Sequence, residues 1–318
     1  MRAPALLLRM EIGAYRYAVM PLVARLPSRA AYRLGRMAGD LQYQVESSKR
    51  EMHLACIELA LRGQLTPEDR IRVVRDVFRL RACEQIDGNR LAGNGQLLVE
   101  LVKIRGLEHV ENALAKGKGA IIGSAHFGSW EAAVGLLGTL GFPVTLVTRR
   151  SFVQGSQMPK RPGAFFRAIR GNALRRHLLG PNIVVTKGRR NTVVPEAAKA
   201  LERNTLVFTM LDVVDTPSLH PNVAPVPFLN GLAFVPNGAY RIAKTTGAPL
   251  LICLMHRSRD WRHQVMEISA PIPMDRDTDE INRSCVGLIE EAIRKEPAHW
   301  QNWSELLRYR IIEQSAEI

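Results

Sequence analysis

The chain has 318 residues, of which 46% are apolar and 23% charged, enough apolar material to bury a sizeable core in one or two domains. That composition excludes a disordered or fibrous protein. Forty-four Lys and Arg against 30 Asp and Glu give a net charge of +14, which points to anionic partners without choosing among nucleic acid, acidic lipid surfaces and acidic proteins. Cys56, Cys83, Cys253 and Cys285 are scattered, with no CxxC and no Cys/His pair at ligand spacing. Neither a disulfide framework nor a metal site is expected, and a reducing compartment fits. No uncharged apolar run of about 20 residues is present to span a bilayer, and Arg2, Arg9, Glu11, Arg16 and Arg25 interrupt the N-terminal apolar stretch that a secretory signal would require.

Residues 4–26 and 29–45 read as two helices broken near Pro27-Ser28, mixing apolar residues and Tyr with Arg at helical spacing. Residues 1–36 hold seven Arg and one acid. This suits an amphipathic pair lying in a membrane interface, apolar side in the acyl chains and Arg among lipid phosphates. The alternative is a helical hairpin packed on the protein's own core. The expected organisation is therefore residues 1–45 as membrane-associating helices and 46–318 as the main domain. Further helices are expected over 48–63 and 66–92, with Thr66 as N-cap and Asp69 at the capping-box position.

From residue 117 the pattern alternates. GKGAIIGSA (117–125) reads as a buried strand, 129–141 as a helix and 143–148 as a strand. A helix near 162–172, strand 182–186, helix 190–203, strand 205–211, helix 237–246 and strands 248–255 and 263–268 follow, with helices over 277–295 and 298–310 at the end. Such alternation predicts an α/β fold: a central mixed, largely parallel sheet wrapped by helices. Ligands in such folds sit beyond the carboxyl ends of the strands, here the turns starting near 125 and 212.

The segment Ser124-Ala125-His126-Phe127-Gly128-Ser129-Trp130-Glu131 is the most informative in the chain. His126 follows a buried strand directly. Ser129 is a natural N-cap, which puts Glu131 in the first turn of the next helix, where a carboxylate is favoured by the helix dipole. The intervening loop allows the carboxylate to reach an imidazole nitrogen, giving a general base and its orienting acid. No GxSxG elbow exists and no cysteine lies near His126 in sequence, so direct attack by an acceptor hydroxyl on an acyl group fits better than a covalent intermediate.

From Ala132 to Pro195 there is no acid but eleven Lys and Arg, a surface suited to phosphates on lipid headgroups or on the arm of a carrier protein or coenzyme A. Nucleic acid is disfavoured, since no zinc-finger spacing, RNP-like strand or recognition helix is present. His220, His256 and His263 read as loop or surface groups, and Trp261, Trp300 and Trp303 as core or interface aromatics.

The stretch KGKGAIIGSAHFGSWEAA (116–133) resembles the H-x4-D/E block of the lipid A biosynthesis (lauroyl/myristoyl) acyltransferases. That superfamily also holds phosphatidylinositol-mannoside acyltransferases and, more distantly, glycerolipid acyltransferases. FFRAIRG (165–171), ALERNTLVFTMLD (200–212), VPFLNGLAFVPNGAYRIAKTTGAPL (226–250) and EPAHWQNW (296–303) resemble its later blocks in the same order, so the likeness covers roughly residues 5–310. It implies a glycerolipid-acyltransferase-like fold, with His126 as general base and Glu131 as its partner. It further implies that Arg167 or Arg170 contacts an anionic headgroup or the thioester carbonyl, and that Asp212 supports the site or touches the acceptor. Phe228, Gly231, Pro236 and Gly238 are implied in the wall of the acyl or acceptor pocket. No metal or cofactor is implied beyond an acyl-carrier-protein or coenzyme A thioester as co-substrate. The acceptor implied is a hydroxyl of an anionic membrane glycolipid of lipid A precursor type, and the place of action implied is the cytoplasmic face of the inner membrane.

Two departures bear on the acceptor. Leu211-Asp212-Val213 stands where lipid A enzymes show Pro-Asp-Gln, and the tail lacks a His-Arg-Arg-Trp run. A phosphatidylinositol-mannoside or other glycolipid or phospholipid acyltransferase is the alternative within enzymes. A non-catalytic basic membrane-binding protein is the alternative outside them.

Overall fold

The computed structural model describes residues 19–93, 95–149, 183–185, 193–212, 225–235 and 237–311. A short helix α1 (Met20–Val23) leads into α2 (Ser28–Val45), α3 (Ser47–Ala60), α4 (Pro67–Gly93) and α5 (Gly95–Val99). Thr66 and Asp69 close a reciprocal cap on α4: the Asp69 amide donates to Thr66 Oγ1 at 3.1 Å and the hydroxyl to Asp69 Oδ2 at 3.0 Å. Pro67, with no amide to satisfy, stands at the start of the helix.

The alternating half follows: β1 (Val102–Arg105), α6 (Leu107–Leu114), β2 (Ala120–Ser124), α7 (Trp130–Thr139), β3 (Val144–Arg149), β4 (Ile183–Val185), α8 (Val193–Glu202), β5 (Leu206–Met210). Then come β6 (Val226–Pro227), β7 (Leu232–Ala233), α9 (Gly238–Thr246), β8 (Leu250–Arg257), β9 (Gln264–Ile268), α10 (Thr278–Lys295), α11 (Trp303–Tyr309) and β10 (Arg310–Ile311). A 3₁₀ turn at Pro297–His299 precedes α11, where the sequence predicted continuous helix from 298. Pro297 lacks the amide that would extend α10.

The main sheet has seven strands in the order β1-β9-β8-β2-β5-β3-β4, and a second sheet has the order β10-β7-β6. β8, β2, β5, β3 and β4 are parallel; β9 runs against β8, and β1 is parallel to β9. The mixed, largely parallel α/β sheet expected from the sequence is what forms. All five residues of the central strand β2 are buried, as expected of a strand covered on both faces. One core joins Ile121, Val207, Leu250 and Ile252 to the layer of α9 and α10; on the other face Ala120, Ile122, Phe208 and Leu251 meet α7.

The N-terminal helices share this body. Gly35 and Gly39 let α2 approach α4 so closely that a Cβ on Gly39 would lie 2.4 Å from Arg79 Cα. A buried polar cluster fixes the contact. Tyr32 donates to Asp87 Oδ1 at 2.6 Å, Arg257 of β8 pairs with Asp87 Oδ2, and Arg90 donates to Ala24 O, Leu26 O and Ser28 Oγ. Opposite its packed face, α2 leaves Leu34, Met37, Leu41 and Val45 exposed. One edge of α2 docks on the core and another remains apolar and open, while most of the helix expected over 4–26 lies outside the described residues. Among the described residues no helix is long and apolar enough to cross a membrane.

Two glycine substitutions separate packing from helix propensity. Gly39→Ala meets the backbone of α4, which cannot rotate away, so stability should fall by about 1–3 kcal/mol despite better propensity. Gly287→Ala, in α10 with open space around it, should instead stabilise by about 0.5–1 kcal/mol. Denaturant titrations of both variants check the opposite signs.

Candidate active site

β2 and β5 are hydrogen-bonded neighbours pointing the same way, with Ser124 in register with Met210. The bond from Leu211 N to Ser124 O at 2.7 Å carries that register past the strand ends. His126 and Asp212, 86 residues apart in sequence, therefore leave the sheet side by side at its carboxyl edge. Asp212 Oδ1 lies 2.8 Å from His126 Nδ1, and its Oδ2 accepts the main-chain N–H of His126 at 2.9 Å.

The rest of the carboxylate is satisfied from the C-terminal segment. Trp300 Nε1 donates to Asp212 Oδ2 at 2.8 Å and Asn302 Nδ2 at 3.2 Å. Asn302 Nδ2 also lies 3.0 Å from His126 Nδ1. An ionised carboxylate can only accept, so the contact with Asp212 Oδ1 places the proton on Nδ1, and Asn302 Nδ2 directs its hydrogen to Asp212 Oδ2. Burial by itself would raise the Asp212 carboxyl, but the charge and hydrogen bonds of His126, with the Trp300 indole, hold it below the ordinary carboxylate range. An ionised Asp212 fixes the Nδ1–H tautomer and leaves Nε2 with its lone pair. The Asp212 side chain is fully buried while that of His126 is 26% exposed, so the imidazole is accessible and its partner is not.

The turn that follows His126 is held by the same C-terminal segment. Gly128 N donates to His299 O at 2.9 Å, Gln301 N to His126 O at 2.8 Å, and Gln301 Nε2 to Gly128 O at 2.7 Å. Gly128 has φ of 56°, and a Cβ there would fall 2.0 Å from Met255 O, so no other residue fits. Trp130 packs edge-on to the His126 ring at 5.4 Å.

Several sequence expectations are placed or corrected by this geometry. Ser129 is at the N-cap position of α7, but its hydroxyl makes no cap bond; it donates to the buried Asp87 instead, joining the turn to the α2–α4 cluster. Glu131 stands half-buried in the first turn of α7, as expected, and it is Asp212 that meets Nδ1 of His126. Phe228 is buried edge-on to Trp300 at 5.6 Å, so it backs the indole that holds Asp212. Gly231 closes the β6–β7 turn through its carbonyl to Phe228 N at 2.8 Å, and Gly238 opens α9. Arg167, Arg170, Pro236, His220 and nearly all of the basic stretch from 149 to 190 lie outside the described residues. His256, read as a surface group, is half-buried and bonds Glu296 Oε2 through Nδ1 at 2.7 Å.

Gln301 and Asn302 are read from the sequence only as part of a tail block, and Trp300 as part of that block and as a core or interface aromatic. Nothing in their spacing ties them to a histidine more than 170 residues earlier; the signal was the block resemblance itself. Burial pushes the thiols of Cys83 and Cys253 up to about 12, so neither is a nucleophile at neutral pH.

The family described as bacterial lipid A biosynthesis acyltransferase fits residues 5–308 of the chain. No curated protein matches it.

The turn should be acid-labile through His299, which stacks on Phe127 and accepts the Arg257 N–H through Nε2. Burial lowers both His299 and His53 from the ordinary 6.5 to about 4. Between those values the unfolded chain binds protons that the folded chain does not, so stability falls as pH drops from 6.5 to 4 and levels off below. Thermal melts across that window should show the decline, shallower in His299→Gln; a flat profile contradicts the assignment.

Proposed function

From the chain's membership of the bacterial lipid A biosynthesis acyltransferase family, which makes it an acyltransferase working with an acyl thioester donor and a lipid acceptor, we propose that His126 is the general base of the transfer and Asp212 its orienting carboxylate. The supporting observation is the 2.8 Å contact of a buried, ionised Asp212 with Nδ1 of a histidine whose ring is open to solvent. In this scheme the acceptor hydroxyl gives its proton to His126 Nε2 as its oxygen attacks the thioester carbonyl. The tetrahedral oxyanion then collapses, the carbon–sulfur bond breaks, and the leaving thiolate takes the proton back from Nε2. Ester and free thiol result, with no change in redox state and no covalent enzyme intermediate. Asp212 stabilises the imidazolium in between without itself being protonated.

The acceptor we assign is a hydroxyl of a membrane glycolipid of lipid A precursor type, and the donor an acyl carrier protein or coenzyme A thioester. The family likeness supports the first, and the acid-free cationic stretch from 132 to 195 supports a phosphate-bearing or acidic donor. The exposed apolar edge of α2 supports a peripheral position on the cytoplasmic face of the inner membrane, with residues 1–45 as the membrane-associating part and 46–318 as the acyltransferase domain. By the same likeness Arg167 or Arg170 serves the headgroup or the thioester carbonyl, and Glu131 joins the pair as a second acid beside the base. Phe228, Gly231, Pro236 and Gly238 shape the pocket wall. The transfer needs no cofactor beyond the thioester.

Transfer of acyl groups from acyl carrier protein to a lipid A precursor, followed by mass spectrometry of the product, tests this. His126→Ala should abolish transfer with folding intact; wild-type turnover by that variant removes the base. Asp212→Asn should lower the rate on the order of 10²–10⁴-fold. Glu131→Gln separates the two acids: a loss equal to that of Asp212→Asn would divide the orienting role between them, and a smaller one leaves it with Asp212.

A further inference from the structure

We propose that the cavity between α2 and the turn joining β8 to β9 binds the phosphate of an anionic membrane lipid, independently of the acyl-transfer site. This deepens the peripheral-membrane reading above and rests on it. The cavity, about 240 Å³, is lined by Arg29, Arg33 and Arg36 of α2 and by Asp260, Trp261 and Arg262 of the turn. Four guanidinium groups face one carboxylate, and that carboxylate is already engaged within its own turn. Asp260 accepts the Ser258 hydroxyl, the Arg262 amide at 3.0 Å and His263 Nδ1 at 2.8 Å. Among the described residues Arg29 and Arg33 make no ion pair, so the cavity keeps an excess of three positive charges.

The wall is built rather than incidental. Arg36 lies over the Trp261 ring, its guanidinium carbon 5.6 Å from the centroid, and its Nε is buried without a hydrogen-bond partner. A sequestered donor of that kind calls for an acceptor. Trp261 itself has φ of 66°, a strained conformation for a bulky residue, and is held there by Arg257 donating to its carbonyl at 3.0 Å. Strained residues locked by their surroundings are characteristic of ligand clamps. Guanidinium forks match phosphate oxygens in pairs, and a half-buried Arg over an indole is already ordered for the purpose.

The choice of a lipid over a soluble phosphate comes from the neighbouring surface. Leu34, Met37, Leu41 and Val45 form an exposed apolar stripe on the same helix, roughly a third of a turn round from the arginines. Leu22 and Leu26 are exposed just before it. Cationic side chains bordering an open apolar stripe are arranged as an interface needs: phosphate in the cavity, acyl chains over the leucines. Arg257 also ties this turn to Asp87, and Asp87 accepts from Ser129, so the site stands one ion pair away from the turn that carries His126.

Co-sedimentation of the full chain with phosphatidylglycerol/phosphatidylcholine vesicles tests the proposal. Arg29→Gln, Arg33→Gln and Arg36→Gln together should weaken binding on the order of 100-fold. Lys116→Gln, Lys118→Gln and Arg203→Gln, which remove the same charge at the amino edge of the sheet, should weaken it only slightly. Dihexanoyl phosphatidylglycerol should compete, and inorganic phosphate at the same concentration should not. If the triple α2 variant melts early, the double at exposed Arg29 and Arg33 gives the same comparison. Wild-type protein that ignores the vesicles overturns the membrane reading and this site with it. Equal losses in the two triple variants overturn the site alone, and inorganic phosphate competing as well as the lipid overturns the lipid assignment.

Discussion

One buried carboxylate organises the carboxyl edge of this sheet. Asp212, just beyond β5, accepts from the ring and the main-chain N–H of His126, from the Trp300 indole and from the Asn302 amide. Each donor belongs to a different requirement of the fold. The His126 amide fixes the path of the chain as it leaves β2, the indole anchors the segment after α10, and the imidazole is the group left facing solvent. A charge taken out of water this completely is tolerable only when all its acceptor positions are used. The network that stabilises the edge therefore also sets the tautomer of the ring.

A second buried charge stands behind the first. Asp87 joins Tyr32 of α2, Arg257 of β8 and the Ser129 hydroxyl at the start of α7. Through it, the N-terminal helices that present the apolar edge are joined to the turn on which His126 depends. The exposed apolar edge of α2 and the turn after β2 thus share one polar core rather than meeting through a linker. Removal of either partner would strand a charge, so neither contact can be lost without disturbing the other end.

The fold was largely legible in the sequence because its local rules agree. Buried apolar runs entered through glycine gave the strands, and the Thr66–Asp69 cap and 3.6-residue periodicity gave the helices. The site was legible only in half. His126 was visible because it follows β2 at once, and Glu131 drew attention because it lies five residues on. The carboxylate that meets Nδ1 comes from the neighbouring strand, and parallel pairing between β2 and β5 is a long-range fact that local pattern does not encode. Asp212 was nonetheless named, by family likeness, for the site as a whole. Trp300 and Asn302 were hidden for the same reason, and so was the diversion of the Ser129 hydroxyl from its cap to Asp87, a residue 42 positions earlier.

In the proposed mechanism Asp212 holds His126 in the Nδ1–H form, so that Nε2 is the nitrogen that accepts the proton. Nitrogen-15 NMR of histidine-labelled protein near neutral pH, with His126 assigned by its loss in His126→Gln, reads this directly. A protonated Nδ1 beside an unprotonated Nε2, with that preference lost in Asp212→Asn, is the predicted result. A ring protonated at Nε2, or a tautomer indifferent to Asp212, would contradict it.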